Sequence, residues 1–177
     1  MGRVPRADRE VPLVFRGPGL RVRGVGDVDH LHAADQQWVL RPDKAIRFWD
    51  GESKSLGDGL TLFRCGGHFA GSDVLHWAAG AEGRGALLTG DIERAAEASL
   101  AVSVERTDVL LVPHHGSRTS SSEQFIAAVA PRWAIVPAGY RNRFGHPARE
   151  VLARYEGAGV TVLRTDRDGA IEVLLGK

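Results

Sequence analysis

Residues 86–117 read ALLTGDIERAAEASLAVSVERTDVLLVPHHGS, and the fold turns on this stretch. ALLT (86–89) and VLLV (109–112) are short apolar runs bounded by Gly, Asp and Pro, the pattern of buried strands. Residues 92–102 between them are rich in Ala and Glu and predict a helix. Working downstream, residues 121–129 begin with serines suited to capping and stop before Pro131, which predicts a second helix. Residues 147–156 carry Pro147 in a first-turn position and Gly157 just past the end, a third helix. The runs 133–136, 160–163 and 170–175 alternate with these helices as strands. Upstream, residues 60–65, 74–77 and 85–89 follow one another as strands with no helical pattern between them. Strand after strand in the middle, then strand and helix in alternation, predicts an α/β (α+β) chain. Its expected form is two sheets covered by helices, not one doubly wound sheet. Residues 1–29 are the least legible part, Gly- and Arg-rich with two weak strand runs at 12–16 and 20–23.

The chain has 177 residues, of which 43% are apolar and 25% charged, enough for a core and consistent with one domain over 1–177. Lys and Arg number 23 against 22 Asp and Glu, so no strong overall field recruits nucleic acid or anionic lipid. Cys65 is the one cysteine, which excludes an internal disulfide framework and a four-cysteine zinc site. The first residues are polar and charged, without the apolar stretch of a secretory signal. The apolar runs are too short to span a bilayer, so the default expectation is a cytoplasmic protein.

The side chains with ligand chemistry fall where loops leave strands. Asp91 follows LLTG (87–90), His114 and His115 follow VLLVP (109–113), and His146 closes NRFGH (142–146) before a helix. His68 follows RCGG (64–67), and Asp27, Asp29 and His30 lie in GDVDH (26–30). Strand ends are where α/β enzymes gather their sites, because a rigid sheet holds the loops. Carboxylate and imidazole donors suit zinc above all, and also manganese or iron. One or two ions are conceivable, since a bridging Asp serves two ions about 3.5–4 Å apart that together handle a phosphoester. Plain structural roles compete with these. Asp91 after Gly90 caps a helix equally well. His68 in a Gly-rich loop suits a turn, and His76 alternates with apolar neighbours as a sheet residue. Ser117 and Ser120–Ser122 suit capping and phosphate contact, and no G-x-S-x-G elbow marks a serine nucleophile. Cys65 reads as a small hydrophobe.

Four motifs in order, LLTGDIE (87–93), DVLLVPHHGS (108–117), NRFGHP (142–147) and LRTDRDGAI (163–171), resemble the soluble metallo-β-lactamase-like domain of the ComEC DNA-uptake channel family. LHAAD (31–35), RCGGHFAGS (64–72) and VLHW (74–77) resemble a small hydrolase branch of the same superfamily, in which G-H-x-x-G-S supplies a metal histidine. Both resemblances imply a four-layer αββα sandwich with a metal site at one edge, here shortened at the N-terminus. They imply Asp91 as the bridging aspartate, His68 as the third-motif histidine, and His146, His114 or His115 as the final ligand. Asp27, Asp29 and His30 resemble the end of the H-x-[HD]-x-D-H motif. The motif's first position is Val25, so one ligand is missing, and only Leu31 separates Asp29-His30 from the segment at 32–35.

The leading expectation is a metal-dependent hydrolase of phosphodiesters, DNA included. Asp29, His30, His68, Asp91, His115 and His146 would hold zinc. His114, Ser117, Arg118 and Arg143 would contact phosphate, and Asp27 or Asp29 would orient the attacking water. A thioester or lactone hydrolase of the same fold is one alternative. A degenerate, non-catalytic module that binds DNA or a partner is the other. As part of a ComEC-like membrane protein the chain would lie outside the cytoplasm.

Overall fold

The computed structural model describes residues 11–16, 19–22, 29–41, 43–67, 69–78 and 85–175. Its centre is a seven-stranded sheet in the order β11-β10-β9-β8-β7-β6-β5. β8 (Ala86–Leu88), β9 (Val109–Leu111), β10 (Trp133–Val136) and β11 (Thr161–Arg164) run parallel. Each successive pair is linked through a helix: α1 (Arg94–Leu100), α2 (Glu123–Val129) and α3 (Arg149–Gly157). Parallel neighbours require such crossovers, and the three helices expected from the sequence supply them. β5 (Ser53–Gly57), β6 (Leu60–Arg64) and β7 (Asp73–Trp77) extend the sheet from β8 in antiparallel steps, joined by short connections.

A second sheet pairs β12 (Ile171–Leu175), β1 (Val11–Arg16) and β2 (Gly19–Val22) antiparallel. β3 (Asp29–His32) and β4 (Ile46–Trp49) form a separate parallel pair. β3, β4 and β5 lie outside the strand runs legible in the sequence. β5 is the sheet's edge and alternates exposed and half-buried residues, so it lacks the apolar run that marks a buried strand.

The period-two alternation of strands divides the core. Leu87, Leu110, Ala134 and Val136 point to one face. They pack with Ala96 and Leu100 of α1, Phe125, Ile126 and Val129 of α2, and Val151 and Tyr155 of α3. Ala86, Leu88, Val109 and Ile135 point to the other face and meet Ile171 and Val173 of β12. The described residues therefore stack as helices, central sheet, second sheet, a mixed α/β arrangement. VLL and WAIV are apolar throughout because both faces of their strands are covered.

Helix ends follow local chemistry. The Ser122 hydroxyl accepts the Phe125 N–H at 3.3 Å and starts α2, two residues after the expected start. Ala130, left-handed at φ 44°, ends it before Pro131. Ala148 is extended (ψ 143°), so α3 begins at Arg149 and Pro147 belongs to the preceding loop. Among the described residues no helix is long and apolar enough to cross a membrane.

Candidate functional site

Because β8, β9, β10 and β11 are parallel, their four following loops emerge at one edge of the sheet. That edge is where open α/β sheets present ligand-binding groups. The loops carry Asp91, then His114 and His115, then residues 137–148 with His146, then α4 (Thr165–Asp168). Hydrogen bonds to backbone carbonyls fasten them together. The Thr89 hydroxyl donates to the Leu111 carbonyl at 2.7 Å and the His114 N–H to the Gly90 carbonyl at 2.9 Å. The Ala148 N–H donates to the Gly116 carbonyl at 2.9 Å, and the Thr165 hydroxyl to the Ala138 carbonyl at 2.8 Å.

His114 and His115 are both left-handed, at φ 48° and 56°. A non-glycine residue there is strained, and two in succession need the surroundings to hold them. The next residue, Gly116, has φ 80°, and a Cβ on it would stand 2.6 Å from Cβ of Pro147. The glycine lets the two histidine loops touch.

The side chains then converge in pairs. Nε2 of His115 stands 3.4 Å from Oδ1 of Asp91. Nδ1 of His115 stands 2.8 Å from the Pro137 carbonyl, which can only accept, so that nitrogen carries a proton. Nδ1 of His114 stands 3.3 Å from Oε1 of Glu93, which also accepts the Thr119 hydroxyl at 3.0 Å. The His114 and His146 rings are edge-on at 6.0 Å, and Phe144 stacks on His146 at 5.9 Å. Asn142 holds the His146 backbone from both sides, its Oδ1 accepting the N–H at 3.0 Å and its Nδ2 donating to the carbonyl at 2.6 Å. Burial lowers the His146 pKa from 6.5; His114 and His115 lower it further, and Asp91 opposes them.

Below the edge lies a buried polar clamp. Glu97 on α1 has no exposed surface, and its carboxylate accepts the backbone N–H groups of Ser121 and, at 2.9 Å, Ser122. Tyr155 donates to the Ser121 hydroxyl at 3.0 Å, and Arg154 to the Ser120 and Ser121 carbonyls at 3.0 Å each. This fixes the segment that follows His114-His115. Beside His146 a groove of about 430 Å³ is lined by Arg118, Arg149, Arg164 and Arg167 together with Gly145 and Glu150.

The structure thus brings Asp91, His114, His115 and His146 to one edge of the sheet, as the pairs Asp91–His115 and His114–His146. Arg118 lies on the adjoining groove in an ion pair with Glu150 at 2.9 Å. Arg143 lies over the ring of Phe144 at 5.0 Å. Ser117 is buried, and its hydroxyl is engaged with that of Thr119 at 3.1 Å inside the loop. Asp29 and His30 sit on β3. Burial lowers the His30 pKa, followed by the charges of Lys54 and Arg47, with Asp29 opposing. Asp27 and His68 lie outside the described residues. His32, in the second resemblance, is buried with Nε2 3.0 Å from the Gly51 carbonyl and Nδ1 accepting the Ala34 N–H at 3.1 Å, which is a structural role. Cys65 is half-buried, and burial pushes its thiol up to about 12, so it is inert near neutral pH. Glu93, Asn142 and Glu97 are not legible in the sequence as site residues, because a lone acid or amide in a loop or helix has no distinguishing pattern. Among the described residues no three His, Cys, Asp or Glu side chains lie close enough together to hold a metal ion.

No protein-family model matches the chain. It is 40% identical over 168 residues to ComE operon protein 3 of Bacillus subtilis (strain 168), covering 93% of this chain and 19% of that protein. It is 34% identical over 158 residues to competence protein ComA of Neisseria gonorrhoeae, covering 82% of this chain and 20% of that protein. The uncharacterised protein YmaE of Bacillus subtilis (strain 168) is 43% identical over 102 residues, covering 58% of this chain and 36% of YmaE. The chain therefore spans between a fifth and about a third of the length of these relatives, and it is a homologue of one segment of the competence proteins ComA and ComE operon protein 3.

Proposed function

We propose that the chain is a phosphodiesterase, nuclease-like domain of the ComEC type, built on a metallo-β-lactamase-like αββα sandwich and dependent on a bound metal. The helix, sheet and sheet layers agree with three of the four layers of that sandwich. The similarity to competence proteins supports DNA as the natural phosphodiester.

One contact carries the reading. Since His115 donates from Nδ1 to Pro137, its Nε2 in the neutral ring is a lone pair, and it faces a carboxylate oxygen at 3.4 Å. Two acceptors held face to face require a proton or a cation between them. Two donors each about 2.0–2.1 Å from one tetrahedral zinc ion stand roughly 3.3–3.4 Å apart. Asp91 and His115 fit a shared cation on both counts. His146, whose pKa burial lowers, is a further imidazole of the right chemistry on the same sheet edge. Zinc is the first choice for such donors, with manganese or iron as substitutes. An ion held by Asp91 and His115 would supply the Lewis acidity that lowers the pKa of water toward neutrality.

The chain's own residues do the remaining work. The Pro137 carbonyl fixes the His115 ring, and Glu93 orients His114 toward the same space. Arg118 and the arginines of the adjoining groove bind the phosphate oxygens and hold the scissile bond beside Asp91. Water's oxygen forms the new bond to phosphorus while the bond to the leaving oxygen breaks, and that oxygen takes up a proton.

Metal analysis of the purified protein and turnover of bis(p-nitrophenyl) phosphate, with and without chelator, test this. The expected result is bound metal and chelator-sensitive turnover that Asp91→Ala and His115→Ala each reduce by about 100-fold or more. Turnover of thioesters or lactones alone would move the chemistry to another ester class. A folded protein without metal or turnover would leave a binding module.

A further inference from the structure

The loop after β10 presents two large aromatic rings to solvent beside the site. Tyr140 is 74% exposed and Phe144 68%, high values for side chains of this size. Both rings carry an arginine: Arg141 lies over Tyr140 at 5.2 Å and Arg143 over Phe144 at 5.0 Å. Phe144 is followed directly by Gly145 and His146, which line the arginine groove. In that groove Arg118 pairs with Glu150 and Arg164 with Asp166, while Arg149 and Arg167 make no ion pair among the described residues. Exposed rings and guanidinium planes next to a groove lined by four arginines, two of them held in ion pairs, are the two components of a single-strand nucleic-acid surface. The rings stack bases and the groove follows the phosphates.

We infer that the Tyr140–Phe144 loop is a base-stacking platform, which feeds a single-stranded polynucleotide across the arginine groove to the His146 edge. The inference rests on the phosphodiester reading above. It adds the substrate's form: a duplex keeps its bases stacked and out of reach of Tyr140, whereas a single strand offers them. An anionic membrane would also attract arginines and aromatic rings, but a groove lined by side chains on the sheet edge suits a chain of phosphates better than a flat layer of headgroups.

Fluorescence anisotropy with chelator present, so that nothing is cut, compares three ligands: a ten-residue oligodeoxythymidine, an abasic chain of the same length and charge, and a ten-base-pair duplex. Base stacking predicts that the thymidine strand binds tighter than the abasic chain by about 5- to 150-fold for each base stacked. Tyr140→Ala brings the thymidine strand down toward the abasic affinity, and Tyr140→Phe, which keeps a ring, does not. Equal affinity for thymidine and abasic chains, an unchanged Tyr140→Ala, preference for duplex, or binding to phosphatidylglycerol vesicles but to no strand would each overturn the inference. Turnover of bis(p-nitrophenyl) phosphate without chelator separates the two claims. Turnover with no base preference sinks only the platform, and base-dependent binding without turnover sinks only the hydrolytic reading.

Discussion

At the scale of single residues, Gly116 decides whether the site exists. Its φ is 80°, and any Cβ there would meet Pro147 at 2.6 Å, so the position has no room for a side chain. Gly116→Ala combines a left-handed alanine with a collision against a buried proline, at an expected cost of about 2–4 kcal/mol. The urea midpoint reads that loss. Because Gly116 joins the His114-His115 loop to the His146 loop, activity falls by more than the stability change when it is assayed well below the midpoint. A Gly116→Ala protein as stable as the parent would show that the two loops are not pressed together. The pair His114-His115 stands out in the sequence as two adjacent imidazoles, but its backbone strain and the direction of each ring follow only from Gly90, Pro137 and Glu93, which are far from it in the chain.

At the scale of elements, α1 does more than connect β8 to β9. Its Glu97 looks like an ordinary residue of an Ala- and Glu-rich helix, yet it is fully buried and receives two backbone N–H groups from the segment leading into α2. A carboxylate bound by two N–H donors contributes charge-assisted bonds, each stronger than a neutral one. Glu97→Gln keeps the shape but turns a donor toward those N–H groups. It should cost about 2–3 kcal/mol, seen as a lower urea midpoint with an unchanged m value. An isostable Glu97→Gln would mean that Arg154 and Tyr155 hold Ser120 and Ser121 without it. Sequence pattern locates the helices well, since each buries a stripe of Ala, Leu, Ile, Val or Phe. It misses the inward acid, because a single glutamate in a helix carries no sign of which face it takes.

At the scale of the molecule, β7 sets a pH response through two opposed groups. His76 is buried, its Nε2 has no hydrogen-bond partner among the described residues, and burial lowers its pKa below 6.5. The unfolded chain then binds the proton more readily, so this contribution to stability is full above about pH 6.5 and is lost as the pH falls. Asp73 moves the other way. Burial raises its pKa to about 6, opposed by the Trp49 indole N–H, which faces it without forming a bond of normal geometry, and by His32. The folded state takes up that proton first, so this contribution grows as the pH falls through 6 toward 3.8. Thermal midpoints from pH 8 to 5 should therefore drop more steeply with acid in Asp73→Asn and less steeply in His76→Leu than in the parent. Identical pH slopes for all three proteins would remove both assignments. The apolar runs at 109–112 and 133–136 marked buried strands on their own, because burial on both faces leaves only apolar side chains in a strand, and the helical patterns that alternate with them marked a C-terminal half in which strand and helix take turns. Which loops meet was decided by the tertiary structure alone: strand order is a matter of long-range pairing, and only that order brings Asp91, His114, His115 and His146 to one edge while leaving His30 beside Lys54 and Arg47.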